Sequence, residues 1–513
     1  MNKINEAGVY PFWDLIVEET YNSHDKVLKE GTWGKFQENE LENDIYMFGC
    51  NDASRIFIEL YKGQFHIRGI LDNAKDKWGT TFCGLEVLPP AETIQSLSEQ
   101  TAVIVIAMRL NADSVIAQLK SLGFQHYYGL GVLVSGMEPY ATLVKDIERI
   151  KLEEPVQDIV IFESTNDFDG NSGALYEYLK KNNSHHKFVW IVKEEANKKL
   201  LLDTNDIVLC PRMSIEDLKQ YLYYRAVSKW QIWDNHSIRK VRNDQTNVFL
   251  QHFGMGYKQI ANIFNSPGYV DYVLTTNENV YEFEKHALLY AENTKIIFGE
   301  LPRNDVLFSG KWRELEKLTN MAYDKTIMWA PTLRNSKLFN RIDSDLEYPL
   351  GISLIYTEDE MNRLNEFLTQ RNILLLVKIH PRQRCNYKSG AYSNILYLDG
   401  ESVKRVHAYK LLTQMDAMIT DYSSIVFDYM LLDRPIAWVL EDIEHYRVPF
   451  LMENPLDFMP GHKIYKFQDL LTFIQHVKDG KDPYKEERNR LSQQYNARKE
   501  GKGCENLAKI LGL

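Results

Sequence analysis

Apolar and polar positions along the chain fall into two rhythms that keep changing places. Short, nearly unbroken apolar runs, such as "AVIVIA" from Ala102, "DIVIFES" from Asp158, "ILLLVKI" from Ile373 and "DAMIT" from Asp416, have the length of strands buried on both faces. Between them, stretches such as "SVIAQLKSLG" and "MNRLNEFLTQ" carry apolar residues three and four apart, the spacing of an amphipathic helix. Strand and helix alternating at this spacing predict parallel sheets covered by helices, an α/β fold.

The alternation comes in three series. Residues 44 to 135 predict a small Rossmann-like module, a polar stretch "KDIERIKLEEPVQ" follows, and two further series run from "DIVIFES" and from "TIMWAPT". The expected domains are an accessory module over 1–145, one lobe over 150–325 and a second over 326–513. Ligands of such lobes bind outside the carboxyl ends of the parallel strands. In the first module, Gly49 follows a strand where a dinucleotide fingerprint would begin, and Asp72 ends the next strand as a ribose-binding carboxylate would. The small residues such a fingerprint needs further on are replaced by Asn51 and Ser54. A tight turn at Gly49 and a strand-end loop at Asp72, with no cofactor, is the favoured reading.

Composition narrows the class. A chain of 513 residues is too long for one core, and 44% hydrophobic with 26% charged residues is ordinary for a folded globular protein. Cys50, Cys83, Cys210, Cys385 and Cys504 show no paired spacing, which argues against a disulfide framework and against a zinc site. No signal-peptide core is visible at the start, and no run of about 18 apolar residues predicts a membrane span. With 71 acidic against 60 basic residues, the net charge of −11 argues against a general nucleic-acid binder. The basic tail around "KEERNRLSQQYNARKEGKG" has a face that could touch an anionic membrane, although a solvated helix is the commoner meaning of such a run.

The candidate chemistry sits where apolar strands end. In "MITDYSSIVFDYMLLDRP" a buried strand runs into Asp421, Ser423 and Ser424 and then into an apolar helix, so both hydroxyls stand at a helix start, where free N–H groups attract an anion. Asp421, when ionised, cannot bind phosphate directly, so it is cast as the cap of that turn or as a partner for a base or a hydroxyl. "VKIHPRQR" places His380 and Arg382 at another strand end, with guanidinium forks suited to phosphate oxygens. "VFLQHFGMGYK" brings His252 to the end of a strand, followed by Gly254 and Lys258; an imidazole there can take a proton from an acceptor hydroxyl, and glycine lets substrate approach the backbone.

Taken together and in order, "VIFESTNDFDGNSGALYEYL", "VFLQHFGMGYK", "GELPRNDVL", "WAPTLRNS", "VKIHPR" and "ITDYSSIVFDYMLLDRPI" resemble the CDP-glycerol glycerophosphotransferase family of teichoic acid and capsule polymerases. The resemblance covers about residues 155–475. It implies two Rossmann-like lobes in a GT-B arrangement behind the small N-terminal module. It also implies transfer of a polyol phosphate from a CDP-linked donor to a prenyl-diphosphate-linked or polymer acceptor, with no metal and no further cofactor. The family's catalytic histidine falls on His252, its phosphate-contacting His-Pro on His380, and its Asp-Ser-Ser on Asp421, Ser423 and Ser424. Such an enzyme would work in the cytoplasm, peripherally on the inner face of the cell membrane. Two departures from the family pattern stand out: Phe253 between His252 and Gly254, and one extra residue, Glu300 or Leu301, in "GELPR". Arg303, Asn304 and Asp305 in "PRND" are expected to order the crossing between lobes, with substrate contact the second reading for Arg303; Arg334 in "APTLR", which has no nearby acidic run, is a candidate anion contact, and Glu441 or Asp442 is placed to hold the donor's ribose hydroxyls. Alternatives within the class are a CDP-ribitol or hexose-phosphate capsule polymerase and a nucleotide-sugar glycosyltransferase; outside it stands a non-catalytic scaffold.

Overall fold

The computed structural model describes residues 36, 38–107, 112–129, 149–151, 153–164, 166–182, 184–201, 205–211, 215–234, 240–251, 270–288, 293–336, 341–379, 390–398, 402–403, 405–496 and 499–513. They form two compact units, one drawn from 1–168, 185–233 and 237–248, the other from 169–184, 234–236 and 249–513.

The first unit opens with β1 (Asp44–Phe48), β2 (His66–Leu71), β3 (Thr81–Phe82), β4 (Leu85–Leu88), β5 (Ala102–Ile106) and β6 (Tyr127–Gly129). Their order is β3-β4-β2-β1-β5-β6, parallel except for the β3–β4 hairpin. The turn after β1 is tight. Gly49 sits at φ +114°, a conformation that disfavours any side chain, while Asn51 caps the next helix by accepting from Ser54 N at 3.1 Å. Asp72 accepts from Cys50 N, Ala74 N and Lys77 Nζ, each at 2.9 Å, so its carboxylate is committed to the loop. The unit continues with β7 (Gln157–Glu163), β8 (Lys187–Ile191), β9 (Ile207–Leu209), β10 (Ser228–Trp233) and β11 (Thr246–Phe249), of which four run parallel in the order β10-β7-β8-β9.

The second unit holds the parallel pair β12 (Tyr272–Thr275) and β13 (Lys295–Phe298). Its main sheet consists of β14 (Lys325–Ala330), β17 (Ile373–Lys378), β18 (Ile395–Leu398), β19 (Ala417–Thr420), β20 (Ile436–Val439) and β21 (His462–Ile464), the short hairpin β15 (Asn335–Ser336) and β16 (Arg341–Ile342) lying between the first two in sequence. The sheet is parallel throughout, in the order β18-β17-β14-β19-β20-β21. Numbered within the sheet, this is 3-2-1-4-5-6, a doubly wound order whose direction reverses between β14 and β19.

Alternation along each strand explains why it is covered on both faces. Ile327, Trp329, Leu375, Val377, Ile419 and Val439 pack on one side with the helix Glu358–Thr369 and the helix Phe467–Lys478. Met328, Leu374, Leu376, Met418, Ile436 and Trp438 face the other way, with residues of the helices Ile425–Tyr429 and Lys485–Tyr495. Each fully buried aliphatic or aromatic side chain in these layers contributes about 1.5–3 kcal/mol, so the strand ends at the reversal point stand on a rigid base. Mixed α/β architecture with Rossmann-like parallel sheets is thus the observed class, as the alternation predicts.

Candidate active site

Because β14 and β19 part company in the winding, a crevice is expected at their carboxyl ends. Asp421, directly after β19, occupies that point with 1% of its surface exposed. Its carboxylate accepts from Thr332 N at 3.0 Å, from the Thr332 hydroxyl and from Tyr422 N at 2.6 Å, and it lies 2.8 Å from Arg334 Nη2. It therefore ties the end of β19 to the loop after β14, and the helix start that follows takes no cap from it.

Arg334, expected to meet substrate, is 2% exposed and held on every side. Its Nε donates to Asp442 Oδ2 at 2.6 Å and its Nη2 to Asp442 Oδ1 at 3.1 Å, while the guanidinium lies 5.0 Å from the Tyr422 ring and 5.2 Å from the Tyr446 ring. Burial opposes its charge, but Asp421 and Asp442 outweigh burial and push its pKa up. Asp442 also accepts from Ser344 Oγ at 2.9 Å and Tyr422 OH at 3.1 Å, so it is not the open ribose carboxylate. The acidic partners lie 87 and 108 residues along the chain from Arg334, which is why a local reading finds none. Arg334 thus clamps three strand ends together, a correction to its expected role as an anion contact.

Arg303 is likewise committed to protein partners. It is 4% exposed, its Nη2 donates to Asp428 Oδ2 at 2.9 Å, and Asn304 Nδ2 and Tyr409 OH reach the same carboxylate, each at 2.8 Å. The extra residue in "GELPR" has a structural use: the Glu300 carboxylate accepts from the backbone N–H groups of Glu500, Gly501 and Lys502, at 2.6, 2.9 and 3.1 Å. Nearby, Asp305 accepts from Gly503 N and Cys504 N at 2.7 and 2.9 Å, anchoring the start of the C-terminal helix Gly503–Leu511.

Against these committed groups, Ser423 and Ser424 differ. Both are half-buried at the start of the helix Ile425–Tyr429, Ser424 is its N-cap without a side-chain cap bond, and neither hydroxyl has a hydrogen-bond partner among the described residues. Glu441, also half-buried, accepts from Leu354 N at 2.9 Å and Tyr356 OH at 2.8 Å, a fixed carboxylate just past β20. Sequence reasoning missed Lys378, the last residue of β17. It is half-buried and lines a small pocket with Met328, Leu398 and Ile425, and no ion-pair partner meets it among the described residues. Burial pushes its pKa down, with Asp169 opposing. The signal was available: a single cation closing an otherwise wholly apolar strand. His252, Gly254, Lys258, His380 and Arg382 lie outside the described residues.

The basic tail is folded into the unit. Arg488 is buried, donating to Asp433 Oδ1 and Asp482 Oδ2 at 2.7 Å each, and Tyr495 packs on Phe283 and Phe458. Among the described residues no helix is long and apolar enough to cross a membrane.

A family model described as CDP-Glycerol:Poly(glycerophosphate) glycerophosphotransferase matches residues 147–512. A teichoic acid poly(glycerol phosphate) polymerase of Bacillus spizizenii is 26% identical over 318 residues, 56% of this chain and 75% of that protein. The polymerase of the same description from Bacillus subtilis is 24% identical over 312 residues, 56% of this chain but 39% of the relative. In three dimensions, the wall teichoic acid polymerase TagF superposes with a TM-score of 0.56 at 21% identity, covering 72% of this chain and 92% of that one. That likeness shows a shared, GT-B-like fold.

Proposed function

Since the chain belongs to the CDP-glycerol:poly(glycerophosphate) glycerophosphotransferase family, we propose that it moves glycerol phosphate from CDP-glycerol to a lipid-linked or growing polyol-phosphate acceptor in teichoic acid or capsule synthesis. The observation that carries this reading is the pair of hydroxyls, Ser423 and Ser424, without partners among the described residues, at the point where the winding of the sheet reverses. Among the described residues, Asp421, Asp442, Arg334, Arg303 and Asp428 are already paired with one another, whereas Lys378 meets no ion-pair partner.

In this mechanism the donor's diphosphate lies across the helix start, accepting from Ser423 and Ser424 and from the free N–H groups there, with Lys378 supplying charge from β17. His380 and Arg382, which follow β17 in the chain, add to the positive field where the leaving group gains negative charge. Glu441 holds the ribose hydroxyls. His252 takes the proton from the acceptor hydroxyl as its oxygen bonds to the β-phosphorus; the bond from that phosphorus to the bridging oxygen breaks, and its electron pair leaves with CMP. Gly254 and Lys258 line the acceptor side. Every group in this scheme belongs to the protein or its substrates, and neither metal nor cofactor is invoked. Residues 1–145 act as an accessory module, 150–325 as the acceptor lobe and 326–513 as the donor lobe, and the enzyme works peripherally at the inner face of the cell membrane, where a prenyl-linked acceptor resides.

Incubating the pure full-length protein with CDP-glycerol and a prenyl-linked acceptor should release CMP and lengthen the acceptor by glycerol phosphate units, as read by mass. Release of CMP only from CDP-ribitol would move the donor assignment. Release of UDP from a nucleotide sugar, or no release from any donor, would contradict the reaction.

A further inference from the structure

Gln251 is the residue before His252, two positions beyond β11, and its backbone is unusual. Its φ is +46°, in the left-handed region, although it carries a side chain. A non-glycine residue held there costs about 1–3 kcal/mol and persists only where its surroundings over-determine it. Here they do. The Gln251 side-chain Nε2 donates to the Leu274 carbonyl at 2.7 Å and to Glu284 Oε2 at 3.3 Å. Its main-chain carbonyl accepts from Asn171 Nδ2 at 2.6 Å, and the same amide reaches the Leu250 carbonyl at 3.2 Å. Asn171 and Gln251 are 0% exposed and Glu284 is 2% exposed.

The chain of bonds continues. Asn171 Oδ1 accepts from Arg303 N at 3.2 Å, and Arg303 is ion-paired to Asp428 on the helix that begins after Ser424. One buried polar relay therefore runs from the residue before His252 to the helix whose start carries Ser423 and Ser424. A buried amide, carboxyl and arginine strung together are an expensive way to fill a core. Apolar residues would fill the same space more cheaply, and glycine would accept the backbone angle without strain.

We infer that Gln251, held by Glu284 and Asn171, is a positioning residue: it fixes the backbone immediately before His252, and turnover by that base depends on the clamp. The inference rests on the reading of His252 as the general base. Burial pushes the Glu284 carboxyl up to about 8, with Thr275 and Gln251 opposing, so the buried relay carries little added negative charge at Glu284 near pH 7.

The test compares Gln251→Gly, Glu284→Ala and Glu284→Gln with His252→Ala in the full-length protein, measuring kcat, the CDP-glycerol dissociation constant and the melting temperature. Glycine accepts the left-handed backbone but lacks the clamp. Gln251→Gly should lower kcat by about 10²-fold, the scale of a 1 Å misplacement, while donor affinity stays within about twofold. Glu284→Ala should lower kcat in the same selective way, and Glu284→Gln, which keeps the hydrogen-bonding shape, should restore most of that loss. Unchanged kcat in Gln251→Gly and Glu284→Ala, beside an inactive His252→Ala, would overturn the positioning role and leave the base standing. Loss of donor affinity in step with kcat would also overturn it, as general damage. Normal turnover by His252→Ala would remove the base itself, and the inference with it. Should Gln251→Gly melt early, Gln251→Asn, which tolerates the same backbone and shortens the clamp by one methylene, carries the comparison.

Discussion

Arg334 and Arg303 illustrate what a single residue can hide. Arg334 was read as an anion contact and Arg303 as an ordering residue or substrate contact, and each turns out to be a buried ion-pair partner of carboxylates that lie far along the chain. Spacing shows that an arginine stands at a strand end; it does not show which distant aspartate will fold against it. Removing one partner of a buried pair leaves the other charged and unsatisfied, so Arg334→Ala should lose about 3–5 kcal/mol of stability in denaturant titration. A near-wild-type midpoint would mean the guanidinium is free for substrate after all. Glu284 gives a pH-dependent expectation. Its folded pKa, raised by burial to about 8, lies above its unfolded value, so its contribution is full in acid and is lost as pH rises from about 4.5 through about 8. The polar groups facing it are Gln251 and Thr275. Melting curves of wild type and Glu284→Gln at pH 5 and pH 9 should therefore shift in favour of the variant at the higher pH; parallel behaviour would place the carboxyl in a wetter setting.

At the scale of elements, the strands of the second unit were legible because burial on both faces forces runs such as "ILLLVK" to be apolar throughout. The turn from β19 into a hydroxyl-bearing helix start was legible for the same reason: polar residues in such a place need an explanation. What could not be seen was which polar groups would find protein partners. Asp421 did and the two serines did not, a difference decided by the loop after β14, 89 residues away. Lys378 belongs to this scale as well, since only the packed sheet reveals it as a cation without an ion-pair partner among the described residues, in a pocket it shares with Ile425. Replacing it with methionine should keep or raise the melting temperature, because an unpaired, partly buried charge is removed. The same change should weaken CDP-glycerol binding by about tenfold or more, the worth of one charge-assisted hydrogen bond. Unaltered affinity would take Lys378 out of the donor site. Glu300 is the opposite case: Glu300→Ala should loosen residues 500–502, seen as faster amide hydrogen exchange there, and unchanged protection would mean that its three bonds hold nothing.

For the whole molecule, the alternation of periods was enough to predict an α/β chain with Rossmann-like sheets, and the motifs from residue 155 onward were enough to predict the family to which the chain belongs. The N-terminal sheet is a different matter. Its fold follows from the pattern, and its strand-end carboxylate, Asp72, is bonded within its own loop. Whether the two hydroxyls grip the donor is read by calorimetric titration of CDP-glycerol into the wild-type protein and into a Ser423→Ala, Ser424→Ala double variant. The wild type should bind measurably, and the variant, still melting normally, should bind more weakly by tenfold or more, since about 1.4 kcal/mol separates each factor of ten; equal affinity in the two proteins would mean that the serines do not hold the diphosphate.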